Sequence, residues 1–179
     1  MGFLVLAKIR TMLWLLMHRK TLTWENLRKK GFCGPSRCPL YNKEEETMNH
    51  LFNTCESANL MWNWVENTLQ QMDRTRDSIH ETIENWRGNF SSNQRVNIIW
   101  KIMPGFITWT IWKERNRRVF LNETRDINHS IDIIKQNIRQ LVLVKSKTDQ
   151  DSKASNRELQ ILKAFNLDNG AYVAVVNRQ

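Results

Sequence analysis

The stretch CPLYNKEEETMNHLFNTC, from Cys38 to Cys55, is where this sequence departs from helical periodicity. It holds two of the three Cys together with His50, and Gly34 and Pro35 mark a turn just before it. On both sides of it, apolar residues recur at spacings of three and four, which is typical of amphipathic helices. Six Gly and three Pro are too few for the many turns of a β-sandwich. The sequence therefore predicts a mainly α fold with one small irregular insert.

Helices are predicted on both sides of this insert. The predicted ranges are 3–19, a short helix ending at 30, 57–72, 77–87, 94–121 with a break or kink at Pro104-Gly105, and 158–166. A long C-terminal amphipathic helix carries a heptad-like stripe at 127, 131, 134, 138 and 141. Three domains are expected: 1–121 with the insert at 33–55, the amphipathic helix at 122–144, and a polar linker and tail at 145–179. The apolar tail at 171–176 is predicted to be a strand.

The insert has the features of a zinc knuckle. Zinc takes four ligands in a tetrahedron, drawn mainly from Cys thiolate and His imidazole, and short loops present them in pairs. His50 and Cys55 form one pair, and Cys38 begins the other. The natural partner of Cys38 is Tyr41, whose neutral phenol is a poor zinc ligand, so Cys33 is the substitute that the spacing allows. The alternative is that the segment holds three small buried thiols and one surface His and has lost the metal.

Three ordered segments resemble one family. They are WLLMHRKTLTWENLRKKGFCGPSRCPL before the insert, the C-P-x-x to H-L-F-x-x-C run within it, and WTIWKERNRRVF at 109–120. Together they resemble the zinc-binding domain that follows the reverse transcriptase in plant non-LTR (LINE-type) retrotransposons, with the resemblance covering about residues 8–121. The resemblance implies zinc as the cofactor, with Cys38, His50 and Cys55 matching its ligands and Tyr41 departing from them. It also implies a truncated or domesticated fragment of such an element.

No catalytic activity is predicted. Polymerases of this type hold two metal ions on paired Asp residues next to a Tyr, and neither Tyr41 nor Tyr172 is followed by such a pair. The FNLDNGA run at 165–171 carries only one of the several carboxylates that a ribonuclease H centre needs. The chain is therefore expected not to be an enzyme and to have no small-molecule substrate.

The net charge of +9 is unevenly distributed. Residues 1–37 sum to +7 and residues 91–121 to +5, while residues 38–90 sum to −5. Two basic blocks around an acidic middle favour a polyanion partner. The predicted nucleic-acid contacts are Arg28, Lys29, Lys30, Arg37, Lys113, Arg115, Arg117 and Arg118. The alternative is that the second cluster is a solvated helix face with ion pairs to Glu114.

The sequence thus predicts a non-catalytic protein that binds RNA or single-stranded DNA. The alternative is a protein–protein interaction module, or self-association, through the Trp-rich face and the 127–141 helix. An odd number of Cys argues against a disulfide framework and for a reducing compartment, either nucleus or cytoplasm. The apolar runs around Lys8 and Arg10 are too short to span a bilayer, so the first helix is expected to be buried in the core and no membrane partner is predicted. The alternative is a helix that lies on a membrane surface.

Overall fold

The structure is a computed structural model that describes residues 2–70, 77–86, 91–146 and 154–168. Its helices in chain order are α1 (Gly2–Met17), α2 (Trp24–Arg28), α3 (Glu56–Thr68), α4 (Ile79–Trp86), α5 (Gln94–Leu121), α6 (Ile127–Lys145) and α7 (Asn156–Ala164). A single π-helical turn, His50–Thr54, precedes α3. Within the described ranges there is no strand, only one isolated β-bridge between Arg37 and Glu45. The mainly α prediction is confirmed.

The helix boundaries follow from local capping chemistry. Side chains of Asn93, Asp126 and Ser155 accept hydrogen bonds from backbone N–H groups in the first turns of α5, α6 and α7. Gly31 has a φ of +85°, the left-handed conformation expected after the short helix α2. Helix α3 ends at Thr68, earlier than predicted, and Gln70 after it has a φ of +52°.

Helix α5 lies at the centre of the molecule and contacts most other helices. It is not broken at Pro104, contrary to one of the two predicted outcomes there. Proline has no N–H, so the carbonyl of Trp100 one turn earlier loses its helical partner. The indole Nε1 of Trp86 donates to that carbonyl at 2.7 Å, inside the core. Helix α4 therefore supplies the hydrogen bond that the proline removes.

Helix α1 packs against α5 at Gly105. A Cβ atom placed on Gly105 would lie 2.3 Å from Cγ2 of Ile9 and 3.1 Å from Cδ1 of Leu13. Such distances are well inside van der Waals contact, so the approach of the two helices requires a residue without a side chain. This contact buries Ile9, Met12 and Leu16 and explains why the apolar first helix is part of the core.

Helix α6 packs the predicted stripe onto the rest of the chain. Ile134, Ile138 and Leu141 are buried, and α6 contacts α5, α1 and α3. The stripe therefore contributes to the intramolecular core, which leaves little of it available to a protein partner. Residues 147–153 of the predicted linker and the predicted strand at 171–176 lie outside the described residues.

Among the residues that the structure describes, no helix is long and apolar enough to cross a membrane.

Candidate metal centre and its surroundings

The first half of the insert is a tight loop that positions Cys38. The Cys38 backbone N–H donates to the Glu44 carbonyl at 2.8 Å, and the Asn42 N–H donates to the Cys38 carbonyl at 2.8 Å. Asn42 has a φ of +55°, which Asn tolerates better than most residues. These bonds close the loop on itself and hold the Cys38 side chain in the interior.

The second half is the π-helical turn that carries His50 and Cys55. The Cys55 N–H donates to the His50 carbonyl at 2.7 Å, the i to i+5 bond that defines this rare turn. The turn is fixed from outside, because Nε1 of Trp62 donates to the Phe52 carbonyl at 2.8 Å. His50 and Cys55 are five positions apart, with four residues between them, and the turn brings both side chains to the same site.

Cys38, His50 and Cys55 converge in the interior. Their ligand atoms all lie within 4.8 Å of one another, and the two sulfurs are 3.8 Å apart. A disulfide would need about 2.05 Å, and both thiols are free. With zinc–sulfur bonds of about 2.3 Å, two thiolates of a tetrahedral site lie about 3.8 Å apart. The observed sulfur separation fits a shared zinc ion, and it equally fits the hydrogen bond between the two thiols.

The imidazole of His50 is only 5% exposed. Its Nδ1 lies 2.9 Å from Oε2 of Glu44, an ion-pair distance, but the direction is not that of a hydrogen bond. Neither ring nitrogen makes a hydrogen bond within the described part of the chain. A buried polar atom without a partner costs free energy, and a metal ion would satisfy one of these nitrogens. The donor set and the unpartnered nitrogen both fit zinc.

The pKa values of the two thiols are shifted in opposite directions. The hydrogen bond from Cys38 lowers the pKa of Cys55 to about 6, and the backbone N–H of Ser57 and the charge of His50 act in the same direction. The same hydrogen bond, together with burial, raises the pKa of Cys38 above its usual range. The pair is therefore poised to hold one thiolate near neutral pH, and thiolate is the form that binds metal.

This segment also matches a known family. Residues 4–62 match the family model described as zinc-binding in reverse transcriptase. The match contains all three converging side chains, and it includes no catalytic reverse transcriptase domain. No curated protein and no solved structure matches the chain.

The structure does not bring Cys33 to the three converging donors. Cys33 is exposed, its sulfur lies 3.9 Å from the Gly31 carbonyl oxygen, and it is not in the converging group. Spacing alone made it a substitute ligand, but the turn at Gly34 and Pro35 leaves it on the surface. Tyr41 is also exposed, and its hydroxyl accepts a hydrogen bond from Nζ of Lys43 at 3.1 Å.

Helix α5 contacts the insert through two arginine side chains. Arg115 and Glu46 are both buried and form a bidentate pair, with Nε–Oε1 at 2.9 Å and Nη2–Oε2 at 3.1 Å. Arg118 donates to the carbonyls of Leu40 and Pro39, at 2.7 and 3.4 Å. These contacts give the 109–120 segment a structural role that its resemblance alone did not predict. That resemblance lies outside the matched residues and stays a prediction.

The predicted nucleic-acid residues fall into two groups. Arg115 is buried with its guanidinium occupied by Glu46, and Arg118 bonds Glu114 as well as the two loop carbonyls, so neither side chain is free to contact phosphate. Arg117 pairs with Glu123 at 3.2 Å and retains partial exposure. The four residues beside the insert are exposed: Arg28, Lys29, Lys30 and Arg37. The alternative of a helix face with ion pairs therefore applies to Arg115, Arg117 and Arg118, each of which is paired with a glutamate.

A second basic surface surrounds Lys113. Burial lowers the pKa of Lys113, and repulsion from Arg125, Arg117 and Lys8 lowers it further. Cations from α1, from α5 and from the loop after α5 therefore lie close enough to repel one another. Lys8 and Arg125 were absent from the predicted set, because their proximity to Lys113 depends on how α1 and the loop pack on α5. We call Lys8, Lys113, Arg117 and Arg125 the α5 basic surface.

Proposed function

We propose that this chain is a non-catalytic nucleic-acid-binding protein in which Cys38, His50 and Cys55 hold a structural zinc ion. The observation that carries the zinc assignment is the convergence of three buried donors, with the two sulfurs 3.8 Å apart. The bound ion would cross-link the loop at 38–44 to the π-helical turn at 50–54 and to Cys55 directly after it. Metal binding of this kind contributes directly to folding stability.

The zinc assignment is tested by measuring metal content after purification without chelator. We expect about one zinc per chain, lost in Cys38→Ser and in Cys55→Ser. Cys33→Ser is the matched control, because its sulfur is exposed and outside the converging group. Full zinc loss in Cys33→Ser, or no zinc in the unmodified protein, would contradict the assignment.

The nucleic-acid assignment is supported by clustered positive charge. The α5 basic surface concentrates four cations. Arg117 is paired with Glu123 at 3.2 Å, and burial lowers the pKa of Lys113, which repulsion from the three cations around it lowers further. Phosphate oxygens of RNA or single-stranded DNA would relieve that repulsion. The exposed pair of Arg28 with Glu45, at 3.3 Å, is weak enough to exchange for a phosphate contact beside the zinc-binding domain.

Binding should therefore depend steeply on salt. Fluorescence anisotropy with labelled RNA and single-stranded DNA should show much tighter binding at about 50 mM than at about 300 mM salt. The double variant Lys113→Gln/Arg125→Gln should weaken binding and reduce the slope of log affinity against log salt by about one to two. Lys101→Gln is the matched control, since Lys101 is an exposed cation on the same helix. Equal binding at the two salt concentrations would refute the assignment.

A protein–protein role is the second candidate, and the end of α5 favours it. Val119, Phe120 and Leu121 are 45%, 74% and 60% exposed, so three consecutive apolar side chains face solvent. Sedimentation at two concentrations distinguishes the candidates. A monomer that binds RNA supports the first, whereas self-association that Phe120→Ser abolishes supports the second.

A further inference from the structure

The exposed face of α1 carries a tryptophan that the core does not use. Ile9 and Leu16 of this helix are buried, whereas Trp14 lies on another side with 49% of its surface exposed. Arg10 and His18, four positions before and after Trp14, are also exposed, and residues at this spacing are neighbours on a helix. An indole on the surface leaves apolar area in water, which a bound aromatic group would cover.

The Trp14 ring is held in place by His18. Nδ1 of His18 lies 2.9 Å from the Trp14 carbonyl oxygen, which can only accept, so Nδ1 is the donor. The imidazole stacks on the indole, with ring centroids 4.5 Å apart and an angle of 26° between the ring planes. Such offset pairs are favourable. The indole is therefore oriented before a ligand arrives, so binding would not have to order it.

The charge around Trp14 is positive. Nζ of Lys20 lies 5.1 Å from the centre of the indole, and Arg10 is one turn away. Residues 1–24 contain no Asp or Glu, and neither cation forms an ion pair within the described part of the chain. Lys8 of the α5 basic surface precedes Trp14 by six positions, about 9 Å along the helix. The ring therefore lies near cations that suit phosphate oxygens.

We propose that Trp14 is a stacking platform for an unpaired base of a single-stranded nucleic acid, with Arg10 and Lys20 at the flanking phosphates. This inference rests on the proposed nucleic-acid binding and adds to it a preference for single strands over duplexes. Bases inside a duplex are stacked on one another, whereas those of a single strand are free to lie on an aromatic side chain. An exposed cation–π contact is weaker than base stacking, so Lys20 can move from the ring to a phosphate.

An aromatic side chain among cations also suits an anionic membrane, but this face of α1 favours a nucleic acid. A helix that lies on a membrane presents a broad apolar face to it. The apolar face of α1 packs on α5, and Trp14 is the single large apolar side chain exposed at 6–17. One planar ring among cations is the arrangement that binds single strands with little sequence preference.

The test compares two labelled oligomers that carry the same number of phosphates. One is oligo(dT), and the other is an abasic oligomer of equal length. In fluorescence anisotropy, the unmodified protein should bind oligo(dT) about fivefold more tightly than the abasic oligomer, or better, as stacking of one base implies. Trp14→Leu should bind both oligomers equally and keep the affinity of the unmodified protein for the abasic one. Trp14→Phe keeps a ring and should retain part of the difference.

Phe120→Leu is the matched control. Phe120 is 74% exposed, but no ring or cation lies over it in the part of the chain that the structure describes. This variant should keep the full preference for oligo(dT). A second readout needs no substitution: an oligomer that contains 5-bromodeoxyuridine should photo-crosslink to the tryptic peptide 11–19, which contains Trp14.

Several results would overturn the inference and leave the proposed nucleic-acid binding intact. They are equal binding of the two oligomers by the unmodified protein, a preference that persists in Trp14→Leu or is lost equally in Phe120→Leu, and crosslinks only outside peptide 11–19. If Trp14→Leu weakened binding to vesicles of phosphatidylserine and phosphatidylcholine but to neither oligomer, the ring would belong to a membrane surface instead. Absence of salt-dependent binding to both oligomers would refute the nucleic-acid assignment itself.

Discussion

The buried pair between Arg115 and Glu46 gives a sharp test of how α5 stabilises the insert at 33–55. Both side chains are under one-tenth exposed and are joined by two hydrogen bonds of 2.9 and 3.1 Å. Replacing Glu46 by Ala would leave the Arg115 guanidinium buried without its carboxylate. Removing one partner of such a pair typically costs about 3–5 kcal/mol, because the remaining charge is desolvated and unpaired.

The neighbouring residue provides a matched control. Glu45 also pairs with an arginine, Arg28, at 3.3 Å, but the two side chains are 64% and 58% exposed. Water screens such a pair, so Glu45→Ala should cost less than about 1 kcal/mol. The same substitution at two adjacent positions thus differs only in the burial and the partner of the charge that is lost.

Urea denaturation followed by Trp fluorescence measures both free energies of unfolding. The expected result is a large shift of the midpoint for Glu46→Ala and a small one for Glu45→Ala. The double variant Glu46→Leu/Arg115→Met should recover most of the stability, since replacing a buried pair by apolar residues is often neutral. If Glu46→Ala cost no more than Glu45→Ala, the assignment of Arg115 to the interior would be wrong.

Three further perturbations test the fold. Trp86→Phe should lower the free energy of unfolding by about 1–3 kcal/mol in thermal denaturation, because the Trp100 carbonyl loses its donor; an unchanged transition would refute this role. Gly105→Ala should destabilise by about 1–3 kcal/mol through the clash with Ile9, and a gain in stability would contradict the close approach of α1. The hydrogen bond from Ser91, with others, lowers the pKa of Glu158 from 4.5 to about 2. The stability that the ionised carboxylate contributes is therefore present above pH 4.5 and is lost as pH falls toward 2. Glu158→Gln should reduce the dependence of the free energy of unfolding on pH in that range, and an unchanged dependence would contradict this role.

Periodicity and capping were sufficient to predict most helices. The runs at 94–121 and from 127 onward both begin at an N-cap, and the second also has an amphipathic face; both features are properties of neighbouring residues. The same holds for Cys38, His50 and Cys55, whose spacing fits two short loops facing each other. These features depend on residues close in the sequence, so the sequence alone could identify them.

Other features depend on contacts between distant segments. Arg115 belongs to a basic run that charge alone assigns to a surface, but its partner Glu46 lies 69 residues earlier. The bond between Trp86 and the Trp100 carbonyl likewise depends on how α4 packs beside α5. Cys33 satisfied every spacing rule and still lies on the surface, because the direction of a turn is not determined by its length.

The 113–118 run shows how one basic segment can serve two purposes. Residues two apart on a helix point to different sides, so Arg115 faces Glu46 in the insert while Lys113 is set among Arg117, Arg125 and Lys8. Substitution of Arg115 should therefore lower stability, whereas substitution of Lys113 should relieve repulsion and leave the fold intact. Loss of nucleic-acid binding in Lys113→Gln without loss of stability would separate the two roles. The net charge of the run alone could not make that separation, because it assigns both side chains to the same class.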